Sequence, residues 1–476
     1  MARSFAGSAL LVAAALLGGC IDLAPAYQRA PAPTPGGFPT GPAYAPVAQP
    51  QPVVGWRDFF ADPKLKTVIQ QALANNRDLR IAIANIAAAR AQYHVQRAAL
   101  LPTASAQASA TYARTPADVA GASSAVNERL YSLTAGASAY QLDLFGKVRN
   151  LTRAAQEQYF ATREARDAAQ ITLVSEVAAD YLTFGADRAL LKIAQDTLAS
   201  SSESLGVIQR RFADGIGSQL DVSQAETIVQ QARFDVARLT TQAAQDRNAL
   251  ELVVGAPVAE DLLPAGVGEP VVVLDRLPEA VSSGVLLQRP DVLQAEDQLR
   301  AANADIGAAR AAFFPSIALT GSGGVTSLAL STLFKGAAGS WTFVPTVSQT
   351  LFDAGANRGN LAYARAQRDV SLATYEKAIQ TAFREVADAL AERGTIDEQL
   401  AAQQGLTAAA ADSLRLSSAR YERGSDTYLN VLVAQRTLYA AQQSLVATQL
   451  AKQSNLVTLY AVLGGGLDKP VQSPRP

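Results

Sequence analysis

From Thr103 to Thr111 the odd positions read Thr, Ser, Gln, Ser, Thr, while Ala104, Ala106, Ala108 and Ala110 fill the even ones. Strict alternation predicts a strand whose two faces meet different surroundings. It returns at Tyr131, Leu133, Ala135, Ala137 and Ala139, set against Ser132, Thr134, Gly136 and Ser138. Pro116 and Gly121 lie between the two runs, which predicts a hairpin. A second pair follows, with Ile317 and Leu319 against Ser316 and Thr320, then Trp341, Phe343 and Val347 against Ser340, Thr342, Thr346 and Ser348. Strands of about ten residues have the length that crosses a bilayer when tilted.

Around these strands the period becomes helical. Residues 62–100 and 291–313 are Ala-rich with apolar positions at helical spacing, and Pro102 and Pro315 end them. After each hairpin comes a stretch free of Pro, Lys147 to Phe212 and Arg358 to Tyr421. As a helix each would reach roughly 100 Å. A turn at Gly215 or Gly424 then leads into a returning helix to about Val254 or Leu463. Segments this long point to a coiled coil or a helical tube.

The order of elements occurs twice, and so do the residues. Arg97-Ala98-Ala99-Leu100-Leu101-Pro102 returns as Arg310-Ala311-Ala312-Phe313-Phe314-Pro315, and Leu144-Phe145-Gly146 returns approximately as Leu351-Phe352-Asp353 with Gly355. Arg211-Phe212-Ala213-Asp214-Gly215, with Leu220-Asp221-Val222 and Ala225, returns as Arg420-Tyr421-Glu422-Arg423-Gly424, with Leu429-Asn430-Val431 and Ala434. One unit is written twice at a spacing far above that of a solenoid.

Composition narrows the chemistry. Cys and His each occur once in 476 residues, as Cys20 and His94, so neither a clustered Cys/His zinc site nor an intrachain disulfide can be built. With 41 basic and 42 acidic residues interspersed, no electrostatic footprint for nucleic acid exists. No enzyme is expected, and His94 on its Ala-rich helix reads as a structural or surface residue. The N-terminus is informative instead. Arg3 and the apolar run Ala9 to Leu17 resemble a secretory signal, and Leu17-Gly18-Gly19-Cys20 resembles a bacterial lipobox. The alternative is a signal peptide with a chance cysteine, although the single thiol falls where a lipobox needs it. An acylated Cys20 would attach the chain to a membrane without a spanning helix. Pro25 to Pro52 holds nine prolines and reads as an extended tether, with folding proper beginning near Trp56.

Four lipid-facing strands cannot stand alone, because open edges leave amides and carbonyls unsatisfied in hydrocarbon. Strands of further protomers would close the sheet around a lumen; a soluble sheet packed on helices is the other reading. At this point the residues resemble a family. Trp56-Arg57-Asp58-Phe59-Phe60 with Asp62-Pro63 and Leu65, Asn76 to Ala82, Gln288-Arg289-Pro290-Asp291-Val292 with Ala295-Glu296 and Leu299, Ile306-Gly307-Ala308 and Leu459 to Gly466 are similar to the outer-membrane efflux lipoproteins of the TolC superfamily, the OprM and NodT-like branch. Leu467 stands where that family usually has Trp.

The resemblance implies an α+β membrane protein: a homotrimer whose four strands per protomer form one β-barrel, continued by a long periplasmic α-helical barrel. It implies a signal peptide (1–19), a lipidated tether (20–55), a first repeat (56–255), an equatorial connector (256–285), a second repeat (286–467) and a tail (468–476). The implied function is the outer-membrane channel of a tripartite efflux pump, working by passive conduction with a periplasmic adaptor and an inner-membrane pump of the resistance-nodulation-division type. No cofactor is implied beyond diacylglycerol and an N-palmitoyl chain on Cys20. Gly215 and Gly424 would form the periplasmic tip, Asp221 and Tyr421 a closed-state hydrogen bond, and Asn430 and Val433 the aperture. Asp426 stands where some relatives carry Arg. The outer component of a type I protein secretion system and a non-conducting periplasmic coiled-coil scaffold are the alternatives.

Overall fold

The computed structural model describes residues 21–44, 55–267, 271–272 and 283–466. The expected signal peptide, Cys20 and residues 45–54 of the expected tether, residues 268–270 and 273–282 of the expected connector, Leu467 and the expected tail lie outside them. A short α1 (Trp56–Phe59) precedes α2 (Pro63–Asn75), whose first turn is capped by the Asp62 side chain accepting from the Lys64 N–H at 2.7 Å, with Pro63 at the first helical position. The helix expected to run unbroken from 62 to 100 stops at Asn76 and restarts as α3 (Arg77–Ala98). Buried Asn76 makes the break. Its amide donates to the Val253 carbonyl at 2.8 Å and its oxygen accepts from the Leu79 N–H at 2.8 Å, so one side chain caps the second helix and ties it to a distant one.

The hairpin β1 (Ala104–Thr115) and β2 (Val126–Leu142), with a short helical turn α4 (Ala117–Ala120) between them, precedes α5 (Lys147–Ala213) and α6 (Gln219–Val254). After the connector the pattern returns as α7 (Pro290–Ala311), β3 (Ser316–Ser327), β4 (Gly339–Ser348), α8 (Ala356–Glu422) and α9 (Tyr428–Val462). The long helices α5 and α8 both contain 67 residues, which is the duplication in structural form. No helix among the described residues is long and apolar enough to cross a membrane.

All four strands form one antiparallel sheet in the order β1-β2-β3-β4, so β2 and β3 join the repeats. The register sorts the side chains. Ala106, Ala108 and Ala110 share a face with Ala135, Leu133 and Tyr131, and that face continues through Ile317 and Leu319 to Val347 and Pro345 and through Gly321 and Gly323 to Phe343 and Trp341. Ser105, Gln107, Ser109, Thr134, Ser132, Ser322, Thr320 and Thr342 occupy the other face. Glycine is required on that polar face, because a Cβ at Gly136 or Gly324 would collide with the carbonyl oxygen of Gly321 or Leu133 on the neighbouring strand.

One expected position is corrected. The alternation read through Ala139 ends at Ala137, where the register shifts so that Tyr140 and Leu142 pair with Leu319 and Ile317 and carry the apolar face onward. Ala139 itself takes a left-handed φ of 53°, and its N–H donates to the Thr320 hydroxyl at 3.0 Å. This is a bulge, and it re-aims the end of the strand.

The chain packs into two compact units that cut across the repeats. One takes its described residues from 1–31, 85–162 and 294–375, and holds the sheet with the helix ends next to it. The other takes them from 32–84, 163–293 and 376–476. The second has its core where Trp56, Phe59, Phe60, Leu65 and Ile69 meet Val174, Val177, Tyr181, Leu250, Val254, Leu456 and Tyr460. Connector residues Val258, Leu263, Val267, Val271 and Val272 are buried in it, and Val272 pairs with Phe60 as an antiparallel bridge.

Candidate functional site

The two helix turns are the same structure built twice. After α5 the Gly215 N–H donates to the Phe212 carbonyl and the Ile216 N–H to Arg211, both at 3.0 Å, with Gly215 at φ 75°. After α8 the Gly424 N–H donates to Tyr421 at 2.9 Å and Ser425 to Arg420 at 3.0 Å, with Gly424 at φ 72°. Glycine suits both because each closes the helix in the left-handed region, where a Cβ is strained. The turns belong to hairpins that share a small core of Ile208, Val222, Ala225, Ile228, Tyr428, Val431 and Leu432.

Two expected sites occupy equivalent positions in the two turns. Asp221 and Asn430 are counterparts, third in their returning helices after Ser218 and Thr427. In the first turn Asp221 forms a capping box, its N–H donating to the Ser218 hydroxyl at 3.1 Å and its carboxylate accepting from the Ser218 N–H at 3.3 Å. In the second turn Thr427 makes no side-chain cap; its N–H donates to Asp426 at 2.8 Å, and the Asn430 amide donates to the same carboxylate oxygen at 2.5 Å. Asp426 also pairs with Arg420 at 3.1 Å. Its carboxyl is held below the ordinary range by the Thr427 N–H first, then by Asn430 and Arg420.

Tyr421, the counterpart of Phe212, lies under the Arg211 guanidinium at 4.8 Å and 5.4 Å from the Tyr428 ring. Tyr428 is buried, and burial followed by the nearby Tyr421 and Asp221 pushes its hydroxyl up to about 12. Asn430 and Val433 lie on the exposed side of α9, opposite Val431 and Leu432. Sequence reasoning missed Arg211, Tyr428 and Arg420. Arg211 and Arg420 align with each other in the repeated motif, which was the available signal.

Residues 21–44, the described part of the Pro-rich N-terminal segment, form neither helix nor strand and are fastened at several points. The Ile21 N–H donates to the Leu144 carbonyl at 3.1 Å. Asp22 accepts from the Ala24 N–H at 3.0 Å, from Asn150 at 2.9 Å and from Arg153 at 2.8 Å, and these bonds outweigh burial to bring its carboxyl to about 2. Glu296, only 1% exposed, receives Arg29 at 2.9 and 2.6 Å, Arg300 at 2.7 Å and the Tyr27 hydroxyl at 3.1 Å. Such complete partnering is what a buried carboxylate requires. Phe38 stacks on Phe383 at 5.0 Å further along. Tertiary contacts are therefore in place already at Ile21, well ahead of Trp56. His94 is exposed beside Tyr93, and no group of three or more metal-ligating residues exists among the described residues.

Comparison with known proteins gives consistent findings. A family model described as outer membrane efflux protein matches residues 68–256 and 281–465. The chain is 44% identical over 464 residues to the antibiotic efflux pump outer membrane protein ArpC of Pseudomonas putida, covering 96% of this chain and 95% of that one. The same figures hold for a toluene efflux pump outer membrane protein, TtgC, of the same species. Among solved structures, the open state of the Neisseria gonorrhoeae MtrE outer membrane channel matches with a TM-score of 0.85 at 35% identity, over 95% of this chain and 100% of that chain.

Proposed function

The chain belongs to the outer membrane efflux protein family, and from that premise we propose that it is the exit duct of a tripartite pump, conducting small toxic organic compounds across the outer membrane. The observation that carries this reading is the four-stranded sheet, apolar on one face and hydroxylic on the other, with β1 and β4 each paired on one side only. A lipid-facing sheet must close on itself. Three protomers closing one barrel satisfy the edges and enclose a polar lumen, and the paired helices continue it as a periplasmic tube. A periplasmic adaptor and an inner-membrane pump of the resistance-nodulation-division type complete the machine. The pump supplies the energy. Two relatives of equal similarity are named for antibiotic and for toluene efflux, which fits a duct that leaves substrate choice to its pump.

Purified protein in planar bilayers should give heat-stable trimers with ion conductance; trimers that never conduct would rule out the duct. Cys20 carries the diacylglycerol and N-palmitoyl anchor in this reading, so Cys20→Ala protein should take up no radioactive palmitate. The helix turns form the gate. Tyr421 and Asp221 hold it shut, and Asp221→Ala or Tyr421→Phe should raise single-channel conductance; unchanged conductance in both would remove the lock.

A further inference from the structure

We infer that Asp426 sets the chemistry of the aperture by turning the Asn430 amide so that its carbonyl oxygen, and not its NH2 group, is presented to the passing solute. This rests on the duct reading, in which Asn430 lines the constriction. The two repeats differ at this turn. In the first turn the third helical residue, Asp221, spends its carboxylate on the backbone N–H of its own cap, Ser218. In the second turn that backbone N–H, on Thr427, is already taken by Asp426 at 2.8 Å. The Asn430 side chain is thereby released from capping and bonds one turn back, to the same Asp426 oxygen at 2.5 Å.

The identity of the acceptor fixes the orientation. An ionised carboxylate can only accept, so the amide must approach it with its NH2 end. Asp426 is ionised at any ordinary pH, since the Thr427 N–H, the Asn430 amide and Arg420 all favour its charged form. The Asn430 oxygen, with two lone pairs, is then directed away from Asp426. The residue is exposed on the side of α9 that also carries Val433. The Asp426 charge itself is masked, because Arg420 reaches it at 3.1 Å and its side chain is only 17% exposed. In a trimer the aperture would carry a ring of amide carbonyl oxygens, electronegative without a formal charge, and rings of carbonyl oxygens favour cations. Arg420 also anchors the far side of the turn, its carbonyl accepting from the Ser425 N–H and hydroxyl at 3.0 Å each. The latch therefore spans from the last turn of α8 to the first of α9.

The test is the reversal potential of the purified full-length protein in a planar bilayer under a potassium chloride gradient. Wild type should prefer potassium. Asp426→Asn, which lets the amide turn over, should move the reversal potential toward that of a non-selective pore, and Asp426→Glu should restore it. Asn430→Ala should produce the same shift, and the double variant no more than either alone. Arg420→Gln keeps the Asp426 to Asn430 bond and unmasks the carboxylate, so it should strengthen the potassium preference even if Asp426→Asn fails to assemble. A potassium preference that survives Asp426→Asn, or one that weakens in Arg420→Gln, overturns the positioning role while leaving the duct intact. Complete absence of conductance in wild type would instead overturn the duct reading on which it stands.

Discussion

Asp22 shows what a single side chain does for the segment that follows Cys20. Its carboxyl lies at about 2, because the bonds from Ala24, Asn150 and Arg153 outweigh the effect of burial. A carboxylate with a depressed folded value stabilises the folded state above its ordinary value near 4, and the contribution is lost as the pH falls from there through about 2. Amide exchange at Ile21 to Tyr27, corrected for its intrinsic pH dependence, should therefore accelerate in that window. Asp22→Asn should show the faster exchange already at pH 7, and equal rates at both pH values in the two proteins would refute the attachment. None of this was legible in the chain, because a run of nine prolines says only that the segment is extended. Its partners Asn150, Arg153 and Glu296 are more than a hundred residues away. Asp221 and Asn430 teach the complementary lesson: the repeat aligns them letter by letter, yet their different work follows from the neighbours Ser218 and Asp426.

At the scale of elements, the long helices were legible because their ends are punctuated by Gly215 and Gly424 and their interiors contain no Pro. The break at Asn76 was not, since it uses neither Gly nor Pro and depends on Val253. The bulge at Ala139 was equally silent, because Ser138 and Ala139 continue the polar-apolar alternation while the backbone leaves it. Packing between α5 and α6 carries a prediction of its own. Burial, then the neighbouring Asp246 carboxyl, pushes Asp187 up to about 6, partly offset by Arg238. Asp180 is raised in the same way, by burial and then by Glu176 and Asp246. For an acid with a raised folded value, the cost of ionisation appears as the pH climbs from near 4 to about 6 and is complete above it. Asp187→Asn removes that cost. It should raise the melting temperature at pH 7.5, by the equivalent of no more than about 1 kcal/mol given its partial exposure, with no gain at pH 4. A lower melting temperature at pH 7.5 would show that the carboxylate is held by partners that favour its charge.

For the whole molecule, the decisive fact is that the sheet has two dissimilar faces and, among the described residues, two unpaired edges. The chain alone announced both, since alternation sets the faces and four strands are too few to close a barrel whose interior stays open. What it could not announce is what meets those edges, because one chain's sequence does not describe its neighbours. Adjacent positions on β1 test the faces directly. Ala108 lies with Leu133 on the apolar side and Gln107 with Thr134 on the polar side. An arginine facing lipid costs about 2–4 kcal/mol near the bilayer midplane and much less at the interface. Ala108→Arg should therefore abolish heat-stable assembly in the outer membrane. If the proposed barrel forms, Gln107→Arg should assemble normally and weaken the passage of cations, because its charge would enter the lumen. Assembly lost in Gln107→Arg but retained in Ala108→Arg would mean that the hydroxylic face is turned toward the membrane. Equal tolerance of both would mean that these strands do not meet hydrocarbon at all, and the closed barrel, the trimer and the duct would fall with them.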